Sequence, residues 1–301
     1  MAIWLKSCAA NPGVDWLLIT DDSIELPLPP NVRRRRETLA SLRRLFSSVI
    51  GFEPAVDTGY KLNDCKPLFF SLIENLPEYD YWGYCDLDVC FGHLPSLLDQ
   101  ISDFYDMILT EGHLHIFRNS PDVNNAYRRV FNPRRWDEIL RNPVTFGMDE
   151  HWGINQVFDK KRIFSDPSLV ADIDPGFRQM RLLPRYRNDR VQAFAYEDGR
   201  VFREYWRGGR YGRDEFLYAH FQKRKLPNLV GEDADSFFIT PTGFLPRAAG
   251  QSDRATLARV NPWHMPTKAE LRLMVRGRVR KLLGSDPLHA ASGAIHITSG
   301  I

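Results

Sequence analysis

The chain has 301 residues, 43 % hydrophobic and 26 % charged, with a formal net charge of +2. This composition is typical of a globular protein and excludes a disordered or fibrous chain, and the small net charge excludes a molecule that binds nucleic acid through its overall electrostatics. The four cysteines (Cys8, Cys65, Cys85 and Cys90) lack CxxC and disulfide-framework spacing, which indicates reduced thiols in a cytoplasm. We find no signal peptide and no apolar stretch of the about 20 residues that span a bilayer, so we expect a soluble cytoplasmic protein.

Strand-like and helix-like segments alternate in the first half of the chain. The pattern predicts strands at 15–20, 81–85, 104–110 and 113–119, and helices at 38–49, 64–76, 94–101 and 120–131. Such alternation favours an α/β domain with a largely parallel sheet flanked by helices.

The second half of the chain is predicted to be rich in β-hairpins. Asp198-Gly199 lies between two strand-like arms, a strong signal for a two-residue hairpin. We expect a domain over residues 1–245 and a C-terminal extension over 246–301. The extension carries a basic amphipathic helix at about 266–283 and a loosely ordered tail.

Two aspartates, Asp86 and Asp88, interrupt the aromatic and apolar run "YWGYCDLDVCFGHL" at residues 81–94. Residues i and i+2 of a strand point to the same side, and ligands of α/β sheets bind at the carboxyl ends of strands. Paired carboxylates with substrate phosphates commonly hold Mg²⁺ or Mn²⁺, so the pair predicts a metal–diphosphate site. The alternative is a strand-end turn in which both aspartates cap backbone N–H groups.

Five motifs, in order, resemble a family of bacterial GT-A type glycosyltransferases that synthesise surface polysaccharide. They are "YKLNDCKPLF" (60–69), "DYWGYCDLDVCFG" (80–92), "GHLHIFRN" (112–119), "FGMDEHWGIN" (146–155) and "HFQKRK" (220–225). The resemblance implies a GT-A-like (Rossmann-like) mixed fold with a mainly parallel sheet, a donor half over about 1–118 and an acceptor half over 119–245. It also implies Mn²⁺ or Mg²⁺ at Asp86 and Asp88. The implied reaction moves a hexose, with inversion, from a nucleotide diphosphate sugar (UDP by family habit) to a saccharide acceptor.

The resemblance further implies a donor site built from the first motifs. Thr20 and Asp21 stand where GT-A enzymes contact the base or ribose. Lys61 and Lys66 would meet phosphate charge, and Asp64 would order the sugar nucleotide. The alternative roles of these last three residues are a helix N-cap and solvated charges at a helix start.

Later residues complete the implied site. His220 resembles the late histidine that completes the metal ligands, and Lys223 and Lys225 would neutralise the diphosphate leaving group; the alternative for these lysines is a solvated basic turn. His113 begins an HxH pair on the strand that, by resemblance, lines the sugar and acceptor pocket. A zinc site at this pair lacks further ligands at suitable spacing.

Asp149 and Glu150 stand at an apparent helix start, where inverting GT-A enzymes commonly place the base that takes a proton from the acceptor hydroxyl. Trp152 offers a flat surface for stacking a sugar ring. The alternative for the acidic pair is ordinary helix capping.

The chain departs from the family at its start, because residues 1–16 already look like the helix that follows a first strand. We therefore expect the first strand to be missing. The basic helix at about 266–283 would lie on an anionic membrane surface, or pack on its own domain with its charges solvated. Two other functions stay open: a non-catalytic carbohydrate- or nucleotide-binding relative, and a basic scaffold that binds nucleic acid or membrane.

Overall fold

The computed structural model describes residues 1–22, 27–99, 103–131, 133–150, 152–184, 186–222, 224–231, 234–248 and 250–283. In these residues the α-helices are α1 (Ala2–Ala9), α2 (Leu39–Ile50), α3 (Leu62–Cys65), α4 (Pro95–Leu98), α5 (Pro121–Asn124), α6 (Trp136–Arg141), α7 (Arg254–Val260) and α8 (Lys268–Leu283). Short 3-10 helices lie at Gly59–Lys61, Lys66–Leu72, Leu76–Glu78, Ala126–Arg129, Ile154–Gln156, Lys160–Arg162 and Pro167–Leu169. No helix in the described ranges has both the length and the apolar character needed to cross a bilayer.

The strands are β1 (Trp16–Thr20), β2 (Val32–Arg36), β3 (Tyr81–Cys85), β4 (Val89–Phe91), β5 (Met107–Ile108), β6 (Leu114–Arg118), β7 (Ile163–Phe164), β8 (Val170–Asp172), β9 (Val191–Glu197), β10 (Arg200–Arg207), β11 (Arg210–Phe216), β12 (Tyr218–His220), β13 (Ser236–Thr240) and β14 (Gly243–Pro246). They form sheets in the orders β1-β2, β3-β6-β5-β7, β4-β12-β8 and β11-β10-β9-β13-β14. The architecture is mixed α/β with several sheets.

The expectation of a mainly parallel sheet is wrong for the described strands. Only β1 with β2, β8 with β12 and β5 with β7 pair in parallel, and the other pairings are antiparallel. A parallel return needs a crossover of about a dozen residues or more. The links between β5 and β6, β9 and β10, β10 and β11, and β13 and β14 are too short for one.

The hairpin predicted at Asp198-Gly199 is confirmed. Both residues have positive φ, 49° and 77°, which is the backbone that a two-residue type I′ turn requires. The turn joins β9 to β10 in the antiparallel five-stranded sheet.

The first half contains the predicted α1, β1 and α2, but three helices are shorter than expected, among them α4, which was predicted over 94–101 and spans Pro95–Leu98. The segment predicted as a helix over 64–76 is the one-turn α3 followed by a 3-10 helix, and the segment predicted over 120–131 is α5 followed by another 3-10 helix. Pro67 cannot donate a backbone hydrogen bond and clashes with a preceding turn, so a continuous α-helix through it is unfavourable.

Aromatic packing fixes the first helix on the sheet edge. Trp4 of α1 meets Trp16 of β1 edge-on at 5.8 Å, and Trp16 stacks on Phe91 of β4 at 4.6 Å. Asn11, fully buried after α1, donates to the Gly92 carbonyl and accepts from the Leu94 N–H. These contacts hold β1 against β4, the strand that follows Asp86 and Asp88.

Candidate functional site

Asp86 and Asp88 occupy the short link between β3 and β4. The Asp86 N–H donates to the His113 carbonyl at 3.0 Å, and the Asp88 carbonyl accepts from the Phe221 N–H at 2.9 Å. Their side chains stay 33 % and 28 % exposed. The backbone of the link is thus hydrogen-bonded to the residue before β6 and the residue after β12, while both carboxylates remain accessible to a ligand.

Strand β12 brings His220 to this link from a distant part of the sequence. His220 lies opposite Val89 of β4 and opposite Asp172 of β8 in the sheet register. Its Nε2 is 3.5 Å from Asp88 Oδ1, and one ligand atom from each of Asp86, Asp88 and His220 lies within 4.8 Å of the others. Two carboxylates and one imidazole therefore converge, and this set of donor atoms suits a divalent metal.

The other nitrogen of His220 contacts Asp172. Nδ1 lies 3.0 Å from Asp172 Oδ1, which also accepts from Gln222 Nε2 at 2.6 Å. Burial alone would lower the pKa of His220, but hydrogen bonds to Asp172 and Asp88 outweigh it and raise the pKa to about 9. For Asp172, burial favours the neutral acid, yet the same histidine contact holds its pKa below the usual value.

His113, the residue predicted to line a sugar and acceptor pocket, lies behind His220 and is largely buried. Its side chain is 7 % exposed, and its ring stacks on the His220 ring at 3.9 Å and 27°. His113 Nδ1 is 2.9 Å from the Tyr218 hydroxyl. Burial, followed by the neighbouring His220, lowers the pKa of His113 well below its usual value, so this ring is neutral.

His113, Asp172 and His220 also bring ligand atoms within 4.8 Å of one another, but their geometry suits a metal poorly. A ring nitrogen binds metal through a lone pair in the ring plane. Two imidazoles stacked nearly parallel carry those lone pairs in separate planes, so they do not converge on one ion. The less buried set of Asp86, Asp88 and His220 is the better candidate for a metal site.

Lys66 joins Asp86, one carboxylate of the candidate metal site, to the predicted base Asp149. Its ammonium lies 2.7 Å from Asp86 Oδ1 and 2.8 Å from Asp149 Oδ2. Burial works to lower the pKa of Lys66, but the two carboxylates outweigh it and raise the pKa above its usual value. Lys66 is therefore charged, and it neutralises part of the acidic cluster.

Asp149 is 2 % exposed, and its Oδ1 has no hydrogen-bond partner among the described residues. Burial is the main cause that raises its pKa to about 7; Lys66 opposes the shift, and Glu150 and Asp86 add to it. A carboxyl group with this pKa can both take and release a proton near neutral pH.

The turn that carries Asp149 and Glu150 is not the helix start that the sequence suggested. The Glu150 N–H donates to Gly147, and the N–H groups of Gly153 and Ile154 donate to the Glu150 and Met148 carbonyls. A Cβ at Gly153 would lie 2.1 Å from the Met148 carbonyl oxygen, so only glycine lets the chain close this turn.

A buried hydrogen-bond chain supports the same turn from below. The Gly112 N–H donates to His115 Nε2 at 3.1 Å, so the ring proton lies on Nδ1. Nδ1 is 2.7 Å from the Tyr84 hydroxyl, which in turn donates to the Asp149 carbonyl at 3.3 Å. This chain fixes the backbone of the predicted base.

Lys61 and Asp64 have a structural role and do not face a sugar-nucleotide donor, which corrects the expectation that they build the donor site. Both side chains are fully buried and joined at 2.7 Å. The Lys61 ammonium also donates to the Ile139 and Val144 carbonyls, and Asp64 accepts from the backbone N–H groups of residues 146 and 148. With all three ammonium protons used internally, Lys61 cannot meet a phosphate.

The remaining predicted residues lie at the surface or partly buried. Thr20, half-buried at the end of β1, accepts from the Asp22 N–H at 3.0 Å, and Asp21 is exposed. Lys225 is exposed and Trp152 is 39 % exposed. Lys223 lies outside the described residues.

Asp172 is not among the residues predicted from the sequence, although the sequence carries a signal for it. Asp172 ends β8 and Asp174 follows it, with the same one-residue spacing as Asp86 and Asp88. Tyr84 carried no such signal, because a tyrosine in an aromatic strand is typical of a core.

A family model described as a family of unknown function, DUF6625, matches residues 1–248. The chain belongs to this family. No curated protein and no solved structure matches it. The DUF6625 match includes β1 to β14 and every site residue described above, whereas α7 and α8 lie beyond it.

Proposed function

We propose that this protein is a metal-dependent glycosyltransferase that moves a hexose from a nucleotide diphosphate sugar, with UDP as the first nucleotide to test, to a saccharide acceptor in surface polysaccharide or lipopolysaccharide synthesis, with inversion. The observation that carries the proposal is the convergence of Asp86, Asp88 and His220 within 4.8 Å. The five motifs that resemble GT-A enzymes support the same reaction.

The donor atoms fit Mn²⁺ better than Mg²⁺, because one of them is an imidazole nitrogen and Mg²⁺ prefers oxygen ligands. Asp86, Asp88 and His220 would hold the ion, which when bound would supply positive charge to the diphosphate. The side chains of this site orient the donor and keep the acidic cluster partly neutral through Lys66.

Asp149 is the proposed base, with Glu150 in the same turn as the alternative. The base takes the proton of the acceptor hydroxyl while the acceptor oxygen bonds to the anomeric carbon. The bond from that carbon to the diphosphate oxygen breaks, and its electron pair leaves with the nucleotide. The pKa of about 7 at Asp149 suits proton transfer near neutral pH.

The test is calorimetric titration of UDP into the full chain with Mn²⁺ and with EDTA, for wild type, Asp88→Ala and a control. Asp122→Ala is a suitable control because this exposed carboxylate lies outside the cluster. We expect binding that requires Mn²⁺, is lost in Asp88→Ala and is unchanged in Asp122→Ala. Folded wild type that binds no nucleotide under either condition would refute the proposal.

A non-catalytic nucleotide- or carbohydrate-binding protein is the second candidate. One observation favours it: Lys66 already neutralises Asp86 and Asp149, so the cluster is partly charge-balanced without a metal. This candidate predicts UDP binding that survives EDTA and Asp88→Ala, with no transfer or hydrolysis of a UDP-sugar.

We further propose that the protein acts at the inner face of a membrane, with α8 touching anionic lipid. Met265, Leu271 and Val275 are 82 %, 48 % and 59 % exposed, and the exposed Lys268 and Arg272 stand among them. Apolar and basic side chains on one exposed segment suit a surface of anionic headgroups over acyl chains.

The acidic residue of α8 does not oppose this contact. Glu270 is 3 % exposed and accepts hydrogen bonds from the Thr267 and Arg178 N–H groups, so its charge is used within the fold. We expect the chain to sediment with vesicles that contain phosphatidylglycerol and not with pure phosphatidylcholine. Val275→Ser should weaken binding, whereas Val144→Ser, with a side chain 60 % exposed outside α8, should not. Equal binding by both variants would refute a role for α8.

A further inference from the structure

Strand β12 places the His220 ring between two carboxylates. Its neighbours in the sheet are β4, which follows Asp88, and β8, which ends at Asp172. The ring presents Nε2 to Asp88 Oδ1 at 3.5 Å and Nδ1 to Asp172 Oδ1 at 3.0 Å. One nitrogen thus faces the exposed Asp86–Asp88 side and the other faces the interior.

Each nitrogen has a distinct task if His220 binds a metal. A metal ligand must offer a lone pair, so the proton of a neutral imidazole must sit on the other nitrogen. An acceptor at Nδ1 keeps a proton on that nitrogen, so when a metal displaces the Nε2 proton the freed lone pair is directed at the metal side. Asp172 provides that acceptor.

Neighbouring side chains fix the positions of Asp172 and of the His220 ring. Gln222 Nε2 donates to the same Asp172 oxygen at 2.6 Å, and Asp172 is only 6 % exposed. His113 covers one face of the His220 ring at 3.9 Å and is itself held by the Tyr218 hydroxyl. Rotation of the His220 ring would break its contact with Asp172 and its stacking on His113.

We infer that Asp172 is a positioning residue, which fixes the tautomer and orientation of His220 so that Nε2 completes a metal site with Asp86 and Asp88. The inference rests on the proposed function, because it assumes that these residues bind a divalent metal. Asp172 does not itself bind the ion: it acts through His220. Mutation of a carboxylate that accepts from the second nitrogen of a metal-binding histidine typically lowers metal affinity by about 10–100-fold.

The test is direct titration of Mn²⁺ into the full chain, followed by calorimetry and by the electron paramagnetic resonance signal of free Mn²⁺. The variants are Asp172→Asn, Asp172→Ala and the control Asp174→Asn. Asp174 is as buried as Asp172, at 6 % exposure, but its Oδ1 accepts from the Gly176 N–H and its side chain does not contact His220. Thermal unfolding of each variant verifies that it is folded.

We expect Asp172→Ala to weaken Mn²⁺ binding by about 10–100-fold without changing its stoichiometry. Asp172→Asn should lose less, because its amide oxygen can still accept from Nδ1–H, and Asp174→Asn should bind like wild type. This graded order is the readout that a purely structural role would not produce. If Asp172→Ala does not fold, the comparison of Asp172→Asn with Asp174→Asn decides.

Equal Mn²⁺ affinity in wild type and the Asp172 variants would overturn the inference and leave the proposed metal site intact. An equal loss in Asp174→Asn would also overturn it, because the effect would then belong to the whole segment. Folded wild type that binds no Mn²⁺ would overturn the metal site itself and the inference with it.

Discussion

Replacing Lys61 with methionine separates a structural role from a phosphate-binding role. Methionine has nearly the same length but no charge and no donor. In the wild type the ammonium donates to Asp64 at 2.7 Å and to the Ile139 and Val144 carbonyls at 2.8 Å each. The substitution removes all three bonds at a position with no exposed surface.

The expected cost is large because one charge is left behind. Breaking a buried ion pair by removing one partner typically costs about 3–5 kcal/mol, since the remaining charge has lost its counter-ion. Asp64 would keep its bonds from the N–H groups of residues 146 and 148, which partly compensate. We therefore expect Lys61→Met to lower the free energy of unfolding by about 3 kcal/mol. The loss should loosen the segment that leads to Asp149.

The assay is urea unfolding followed by circular dichroism, with nucleotide titration on the same samples. Lys160→Met is the matched control, because it makes the same chemical change at an exposed position with no role in the proposed site; it should cost less than about 0.5 kcal/mol. Our reasoning is refuted if Lys61→Met unfolds like wild type but binds UDP more weakly, since that pattern would mean that the ammonium faces the ligand.

Two further predictions concern the turn of the proposed base. Folding raises the pKa of Asp149 from 3.8 to about 7, so the carboxyl group keeps its proton to a higher pH in the folded protein than in the unfolded chain. The free energy of unfolding therefore falls as the pH rises from about 4 to about 7. Asp149→Asn cannot titrate at this position, so its free energy of unfolding relative to that of wild type should rise by up to about 4 kcal/mol between about pH 4 and about pH 8. Urea unfolding at these two pH values measures the change. A difference between variant and wild type that does not vary with pH would contradict the raised pKa. Gly153→Ala would place Cβ 2.1 Å from the Met148 oxygen and should cost about 2 kcal/mol or more, whereas Gly13→Ala, with no atom within 4 Å, should be nearly neutral. Thermal unfolding compares the two alanine variants, and equal melting temperatures would show that the turn tolerates a side chain.

Local features of the fold could be predicted from the sequence. The helix at α1, the strand β1 and the hairpin at Asp198-Gly199 depend on residues close in the chain, so periodicity and turn chemistry identify them. Strand direction depends on which strands pair. The alternation of strand-like and helix-like segments predicts parallel pairing, although most of the observed pairings are antiparallel. The short connections between successive strands are a better signal, because they predict antiparallel pairing.

The candidate site was also predictable only in part, because it depends on which distant parts of the chain meet. Spacing identified Asp86 and Asp88, and the resemblance identified His220. Nothing in the motif "YK..D.KP" distinguishes an inward-facing Lys61 from an outward-facing one, because the spacing of Lys61 and Asp64 suits a buried ion pair as well as a ligand site. Burial decided between them.

The register of β12 has a consequence for insertions and deletions. His220 faces Asp172 only because β12 is hydrogen-bonded on both edges, to β4 and to β8. Gaining or losing one residue just before His220 would turn the imidazole to the opposite face of the sheet and place a neighbour where it stood. Length changes should therefore be forbidden between Phe216 and His220, yet better tolerated at the exposed Gly208-Gly209 turn between β10 and β11. Chain length, and not only residue identity, would then be under selection at this strand.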